Sequence, residues 1–461
     1  MSCLTATLAA AELEIDPEHP YFFRDGDRHV YLLGASDDQA LFLWENDKGF
    51  DWREYLETLH AHGFNYVRQY VTAWNSVDTP REYPAQFSSP LWVFARPGPG
   101  TARDGKPKFN LTRFNGEYFG QRIRPFLACA RELGIYVELT LFARTDRGTW
   151  PGCLYSDRNN VNELGLQPRQ PESDRALQNE PLLAIQEAYV SRVLAETAEF
   201  GNVIYEIANE TGGHKWVTHF VDFIHNHPEH PSHLVSAGEQ MTAYDPVAGP
   251  NDIVIKHRGW GRGGGLYATD AHVKTHHDVL LKFRTGKPII HNEFFLYANQ
   301  STDDPNFVRK MMWGDFTAAG HCNFSDFAHF RGTGRTMDEG DPAQPPPREI
   351  LEGGRHLRSF IDRVPFWQMR PADECVAKPG PQMHAMALAA AGRCYVVYLL
   401  GGPVRALRMT VPGGGYIARW YDPKTGRLGE AIPVRARNGE LTLSVPGFEQ
   451  DIVLWMHRPG P

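Results

Sequence analysis

Residues Val203–Glu210 read VIYEIANE, and this stretch decides the fold class of the chain. Its apolar part, Val203–Ala208, is predicted as a strand, and the stretch ends with two polar residues. A helical pattern precedes it at Leu182–Phe200, where Gly201 suits the left-handed end of a helix, and another follows at Lys215–His225. A short apolar strand between two helices is typical of a parallel sheet that is covered by helices on both faces.

The same alternation of short apolar and longer amphipathic segments runs from about residue 30 to residue 363. Further strands are predicted at Val30–Gly34, Asn65–Val71, Tyr136–Leu141, Leu234–Ala237, Ile253–Lys256, Pro288–Asn292 and Cys322–Asp326. Further helices are predicted at Trp52–His62, Glu117–Leu133, His272–Phe283, Asn306–Ala319 and Arg348–Ile361. Eight strands with helical connections predict an α/β fold, a (β/α)8 TIM barrel enlarged by long loops.

An open, doubly wound sheet is the alternative for such a pattern. That fold normally carries a glycine-rich phosphate turn of the form G-x-G-x-x-G after its first strand. Here the first predicted strand runs into Gly34–Asp38, which reads GASDD. The pattern therefore favours the barrel.

The character of the sequence changes after Pro371. Apolar and polar residues alternate, and turns rich in Gly, Asp and Pro separate short strands at Cys394–Leu400, Tyr416–Tyr421 and Asp451–Met456. This pattern predicts a small antiparallel β-sandwich domain. We expect lead-in strands packed on the barrel in residues 1–29, the catalytic barrel in residues 30–370 and the sandwich in residues 371–461.

Composition excludes several classes of protein. The chain of 461 residues has 47 Lys and Arg against 55 Asp and Glu, a net charge of −8, and 42% hydrophobic residues. A mildly acidic chain without a basic run argues against a nucleic-acid or membrane partner. The six Cys residues include no C-x-x-C pair, so neither a disulfide scaffold nor a Cys-based zinc site is expected.

The amino terminus gives an expectation about location. Residues 1–10 carry no basic residue, and Arg24 is the first Lys or Arg. Because a secretory signal needs a positive region before its apolar core, we expect a cytoplasmic protein by default. Export of a trimmed mature form stays open.

Two carboxylates end predicted strands in the barrel. Glu210 ends the fourth strand and Glu293 ends the seventh, which reads Pro288–Glu293, PIIHNE. In a barrel, the carboxyl ends of the strands form the active-site face. Two Glu residues on opposite sides of that face suit acid–base chemistry on a glycosidic bond, since one carboxyl protonates the leaving oxygen and the other attacks the anomeric carbon or activates water.

At these residues the chain resembles the clan A glycoside hydrolases, which are retaining (β/α)8 enzymes. Their mark is Asn-Glu at the end of strand four and Glu at the end of strand seven, matched here by Asn209, Glu210 and Glu293. The resemblance implies that Glu210 is the general acid/base, that Glu293 is the nucleophile and that Asn209 donates to the sugar 2-hydroxyl. It also implies an Arg near the nucleophile at the end of strand two, and Arg68 fits that position.

Other residues complete the predicted substrate site. Strand six of the clan often supplies a Tyr to the nucleophile, whereas this chain offers His257, a departure from the pattern. Trp74 and Trp260 follow strands two and six and suit a platform for sugar rings, and Trp313 is a further Trp that could stack on sugar. The candidates for sugar hydroxyls after strand one are Asp37 and Asp38. Strict alternation along strand seven would turn Asn292 away from the pocket.

The carboxy-terminal region has a looser resemblance. The stretch Arg419–Gly426 reads RWYDPKTG, and Pro446-Gly447 precedes the apolar run Asp451–Leu454. These features resemble the small sandwich domain of bacterial glycosidases that is named for collagen binding. A domain that packs on the barrel for stability is the simpler interpretation of it.

The sequence thus predicts a retaining glycoside hydrolase with a carbohydrate substrate and no cofactor. We expect no metal site, because His225, His227, His230 and His233 lie on the face opposite the predicted active site and lack the spacing of a known site. The alternatives are a non-catalytic carbohydrate-binding barrel, a transglycosylase and a metal-dependent hydrolase. Long insertions at Trp74–Phe114 and Arg144–Asn179 suggest a walled pocket and an exo-acting enzyme. The sugar and the oligomeric state are left open.

Overall fold

The computed structural model describes residues 12–36, 51–72, 91–143, 145, 150–228, 233–238, 244–258, 276, 279–280, 285–295, 305–325, 348–377, 383–402 and 404–459. Within these ranges the chain forms a small antiparallel sheet, a parallel barrel and an antiparallel sandwich. The predicted TIM barrel followed by a β-sandwich is therefore confirmed. No helix in the described part of the chain combines the length and the apolar character that crossing a bilayer requires.

Eight parallel strands form the barrel in chain order, with the last strand paired to the first. The strands are β4 Leu33–Ser36, β5 Tyr66–Tyr70, β6 Tyr136–Ala143, β7 Val203–Asn209, β8 Val235–Ser236, β9 Val254–Arg258, β10 Ile289–Phe295 and β11 His321–Ser325. A parallel bridge between Ser236 and Ile253 closes the ring between β8 and β9. The fourth barrel strand is thus β7 and the seventh is β10.

The helices between the barrel strands follow the sequence pattern. In the described ranges they are α1 Trp52–Ala61, α2 Gly116–Tyr118, α3 Arg124–Glu132, α4 Glu180–Thr197, α5 His214–His225 and α6 Pro305–Thr317, and α7 Arg348–Ile361 follows the last strand. The segment predicted as one helix from Glu117 to Leu133 is divided by a π-helical turn at Phe119–Ile123. Pro125 explains the division, because a proline near the start of α3 lacks the N–H that a continuous α-helix would use. The predicted helix His272–Phe283 lies mostly outside the described residues.

An antiparallel sheet closes the bottom of the barrel. Its strands are β1 Leu13–Ile15, β2 Phe23–Asp25 and β3 Arg28–Val30. Inside the barrel floor, the Tyr136 hydroxyl donates to Asp25 Oδ2 at 2.6 Å and accepts from Arg28 Nη2 at 3.0 Å. The strand predicted at Val30–Gly34 is therefore wrong at its start: Val30 pairs with Phe23 in this sheet, and the first barrel strand begins at Leu33. The unbroken apolar run through residues 30–33 hides the change of sheet.

The carboxy-terminal strands form a sandwich that packs on the barrel. The strands are β12 Arg370–Pro371, β13 Met383–Ala390, β14 Cys394–Gly401, β15 Ala406–Thr410, β16 Gly414–Asp422, β17 Arg427–Leu428, β18 Ile432–Ala436, β19 Glu440–Ser444 and β20 Asp451–His457. The larger sheet has the order β12-β13-β14-β20-β16-β17 with β18 on β16, and β15 pairs with β19 in the smaller one. Alternate residues of β14 serve two cores: Val396 and Tyr398 join the barrel core, while Val397 and Leu399 join the core of the sandwich.

Candidate active site

Polar side chains fill the middle of the barrel, above an apolar floor. The floor contains Ile204, Ile255 and Ile290. The polar layer above it consists of Arg68, Glu138, Thr140, Glu206, Ser236 and Asn292, all of them buried. Because the strands alternate their side chains, a residue two positions after an inward apolar one also points inward, as Glu206 does after Ile204.

Arg68 is the cation of this layer. Its Nε donates to Glu206 Oε2 at 2.8 Å, its Nη2 lies 2.7 Å from the same oxygen, and Glu138 Oε2 lies 3.9 Å from Nε. Burial raises the pKa of Glu206; the Arg68 charge lowers it, and the Glu138 charge raises it further. Arg68 is thus fixed by carboxylates from two neighbouring strands.

Asn209 and Glu210 stand at the carboxyl end of β7. Arg68 Nη2 donates to Asn209 Oδ1 at 2.9 Å, so the ion pair in the barrel also orients the amide of Asn209. Glu210 follows with a left-handed backbone, φ 49°, which is uncommon for a residue with a side chain. Its side chain is 15% exposed, and His257 Nδ1 lies 3.8 Å from its Oε1.

Glu293 lies on β10, where the structure describes its backbone. It is paired with His257 of β9, the residue that contacts Glu210. The register between β10 and β9 shifts between His291 and Glu293, so an extra residue of β10 lies opposite β9 at this point. Strict alternation therefore does not continue from Asn292 to Glu293.

The expectation that Asn292 turns away from the pocket is wrong. Asn292 Nδ2 donates to Glu138 Oε2 at 2.8 Å. Because β10 and β6 are not neighbours in the sheet, this hydrogen bond crosses the barrel interior. The preceding His291 points outward instead, where its Nδ1 pairs with Asp315 of α6. The register shift between His291 and Glu293 has no sign in the sequence, so alternation counted back from Glu293 turns Asn292 the wrong way.

The structure brings together four of the predicted site residues and the backbone of a fifth. Arg68 contacts Asn209, His257 contacts Glu210, and Glu293 pairs with His257 through the backbone. The other predicted residues, Asp37, Asp38, Trp74 and Trp260, lie outside the described residues. Among the described residues, no three His, Cys, Asp or Glu side chains gather as a metal site would need.

Sequence reasoning missed the supporting carboxylates. Glu138 accepts from Ser236 Oγ at 2.7 Å and from Asn292, and Thr140 donates to Glu206. The signal was present in the sequence, because Glu138 and Glu206 are charges inside otherwise apolar strands. A buried charge needs a partner, and Arg68, which points inward from β5, lies near both carboxylates.

Comparison with solved structures identifies the same architecture in glycoside hydrolases. One structure described as a glycoside hydrolase has a TM-score of 0.63 at 15% identity, with 97% of each chain covered. A glycoside hydrolase family 5 protein from Bacteroides vulgatus has a TM-score of 0.65 at 15% identity, covering 99% of this chain and 95% of that one. An endo-1,4-β-mannanase from Rhizomucor miehei has a TM-score of 0.50 at 13% identity, covering 77% and 100%.

The sequence itself matches no family model and no curated protein. At 15% identity the structural likeness concerns the fold, and for the first two structures it includes nearly the whole of both chains. The barrel together with its carboxy-terminal sandwich is therefore the shared unit. The chain has the fold of the (β/α)8 glycoside hydrolases.

Proposed function

We propose that this protein is a glycoside hydrolase that cleaves an O-glycosidic bond with retention of anomeric configuration. The observation that carries the proposal is that one residue contacts both candidate carboxylate residues. Glu210 follows the fourth barrel strand and Glu293 lies on the seventh; the His257 side chain lies near Glu210, and His257 is the strand-pairing partner of Glu293. Two carboxyl groups at the carboxyl ends of barrel strands suit this chemistry, and the shared fold agrees with it.

In this proposal Glu293 is the nucleophile. Its carboxylate attacks the anomeric carbon, the bond to the leaving oxygen breaks, and the proton of Glu210 passes to that oxygen. Glu210 then takes a proton from water, which attacks the anomeric carbon and releases Glu293. Such an exchange needs the two carboxyl groups about 5–5.5 Å apart.

Arg68 and Asn209 support the sugar in the same proposal. The Asn209 carbonyl oxygen is engaged by Arg68, so its amide N–H groups are the donors left for a sugar hydroxyl. The Arg68 charge also favours the ionised form of a nearby carboxylate nucleophile. Asp37, Asp38, Trp74 and Trp260 remain proposed contacts of the substrate.

We also propose exo action on short chains, because two insertions join into one wall beside the barrel mouth. Phe109 N donates to Asn159 O at 2.8 Å, and Val161 N donates to Phe109 O at 2.9 Å. Leu111 N donates to Asn162 Oδ1 at 2.9 Å, which extends the seam. The insertions after the second and third barrel strands are thus hydrogen-bonded to each other, and such a wall limits the space for a long polysaccharide.

The test is hydrolysis of aryl β-glycosides of glucose, mannose, xylose and galactose, of α-L-arabinofuranosides and of oligosaccharides. Wild type is compared with Glu210→Gln and Glu293→Gln, and Glu117→Gln serves as the control because Glu117 is exposed on α2. We expect one sugar to be cleaved, with kcat/KM lower by several orders of magnitude in the two site variants and unchanged in the control.

Proton NMR of the first product distinguishes the mechanisms, because retention requires the covalent intermediate whereas inversion excludes it. Equal activity in wild type and both site variants would contradict the proposal, and binding without turnover would favour a carbohydrate-binding barrel. Products longer than the substrate would identify transglycosylation. The shortest products from an oligosaccharide ladder test exo action, which release of internal fragments would contradict.

A further inference from the structure

The turn after Glu210 is held by a loop from the preceding part of the barrel. Gly213 N donates to Glu172 O at 2.9 Å, and Trp216 N donates to Asp174 Oδ1 at 3.0 Å. Helix α5 begins at His214, and its cap residue Gly213 has no side chain to accept from the first N–H groups. Asp174 therefore supplies the helix cap from the loop between β6 and α4.

The position of Gly213 shows how closely the two segments fit. A Cβ at residue 213 would lie 2.2 Å from Asp174 Oδ1 and 2.5 Å from Asp174 N. Asp174 thus occupies the space where a side chain on the cap residue would stand. Asp174 can therefore cap the helix from the loop because Gly213 has no side chain in that space.

The loop is anchored on three sides. The buried Glu172 accepts from Thr145 Oγ1 at 2.6 Å, just beyond the end of β6. Gln186 of α4 donates from Nε2 to Pro171 O at 2.8 Å and accepts from Trp216 Nε1 at 3.1 Å. The segment of residues 171–174 is therefore fixed to the third barrel strand, to α4 and to α5.

Glu210 needs such external support. Its left-handed backbone, φ 49°, is strained for a residue with a Cβ and persists where the surroundings hold it. Only residues 211–213 separate Glu210 from α5, so the start of that helix fixes one end of the turn and β7 fixes the other. The cap supplied by Asp174 holds the end that β7 does not.

We propose that Asp174 is a positioning residue for Glu210: through Trp216 N and the start of α5, it holds the turn that aims the carboxyl of Glu210 at the leaving oxygen. This inference rests on the function proposed above. A general acid that is out of place fails most where the leaving group needs a proton, and it matters little where the leaving group departs as a stable anion. A merely structural role would lower both rates alike.

The experiment measures kcat/KM on two aryl glycosides of the sugar that wild type cleaves, a phenyl and a 2,4-dinitrophenyl glycoside. For Asp174→Ala we expect a fall of about tenfold or more on the phenyl glycoside and a change under about twofold on the dinitrophenyl glycoside. Asp174→Asn keeps an oxygen that accepts from Trp216 N, so its kcat/KM on the phenyl glycoside should be close to that of wild type.

Asp51→Ala is the matched control, because Asp51 caps a different helix, α1, by accepting from Arg53 N at 2.8 Å. A kcat/KM of Asp51→Ala that equals the wild-type value on each of the two substrates would support the inference. Equal losses on both substrates for Asp174→Ala, or no loss, would overturn it while leaving the proposed function intact. Wild-type cleavage that does not depend on Glu210 would overturn both.

Discussion

Arg68 and Glu206 form an ion pair inside the barrel, with 2.7 Å between Nη2 and Oε2 and both side chains wholly buried. The same Nη2 donates to Asn209 Oδ1, one residue before Glu210. The interior of the barrel and the candidate acid/base are therefore connected through one guanidinium. Replacing it should affect both folding and the orientation of Asn209.

Arg68→Met should be strongly destabilising, because it removes the guanidinium that pairs with the buried carboxylate of Glu206 and lies near that of Glu138. We expect the free energy of unfolding to fall by about 3–5 kcal/mol, measured by urea denaturation. Arg24→Met is the control: Arg24 pairs with Glu14 at the surface, where side chains are 41% and 46% exposed, and such a pair contributes under about 1 kcal/mol. Equal losses in the two variants would contradict the role given to burial.

Trp313, one of the Trp residues that the sequence offers for sugar stacking, should matter for stability and not for substrate. It is fully buried on α6, and its ring stacks on Tyr398 of the sandwich at 5.5 Å between centroids. Trp313→Ala should lower the free energy of unfolding by about 3–5 kcal/mol and leave KM unchanged. A raised KM at wild-type stability would restore the sugar-stacking interpretation.

The order of the barrel strands could be predicted from the sequence because apolar runs and helical periods alternate regularly. Leu182–Phe200 and Val203–Ala208 were each expected within three residues of the observed ends of α4 and β7. Val30 was assigned to the wrong sheet, since pairing partners are set by contacts far apart in the chain. Periodicity shows that a strand exists but not where it pairs.

For the candidate site, the sequence predicts which residues follow the ends of strands, but not the contacts between distant segments. Asn209 and Glu210 stand at the end of the fourth barrel strand, as the apolar run before them predicts, whereas Arg68 is the middle residue of β5 and not its last. The register shift beside Glu293 depends on how β10 meets β9, and no local residue pattern announces it. The cap that Asp174 gives to α5 is likewise a contact between distant segments. Contacts of this kind do not follow from local residue patterns.

The barrel and the sandwich are joined by a buried ion pair. Arg309 of α6 donates from Nε and Nη2 to Asp451 of β20 at 2.9 and 2.7 Å, and the Tyr398 hydroxyl donates to the same carboxylate at 2.8 Å. Asp451→Ala should lower the free energy of unfolding by about 3–5 kcal/mol, because it leaves Arg309 buried and unpaired.

A double variant separates the charge from the packing at this interface. Arg309→Met with Asp451→Leu removes both charges and should recover most of the stability lost by Asp451→Ala alone. Tyr398→Phe should cost about 1 kcal/mol, the contribution of one hydrogen bond. Urea denaturation followed by fluorescence would measure these changes, and a double variant less stable than Asp451→Ala would contradict the account.

Glu172 should make the protein less stable as the pH rises. Burial raises the pKa of this carboxyl to about 8, against the opposing effect of its hydrogen bond with Thr145. An unfolded Glu loses its proton near pH ~4.3, so between that pH and about 8 the folded state holds one more proton than the unfolded state. The stability that this group contributes is fully present below pH ~4.3, and it is lost at about 1.4 kcal/mol per pH unit until the folded carboxyl ionises.

Glu172→Gln keeps a neutral group that accepts from Thr145 and should remove that slope, whereas Glu449→Gln, at an exposed position, should keep it. Urea denaturation between pH 5 and 8 measures the slope, and the same slope in wild type and Glu172→Gln would show that Glu172 is already ionised in the folded protein.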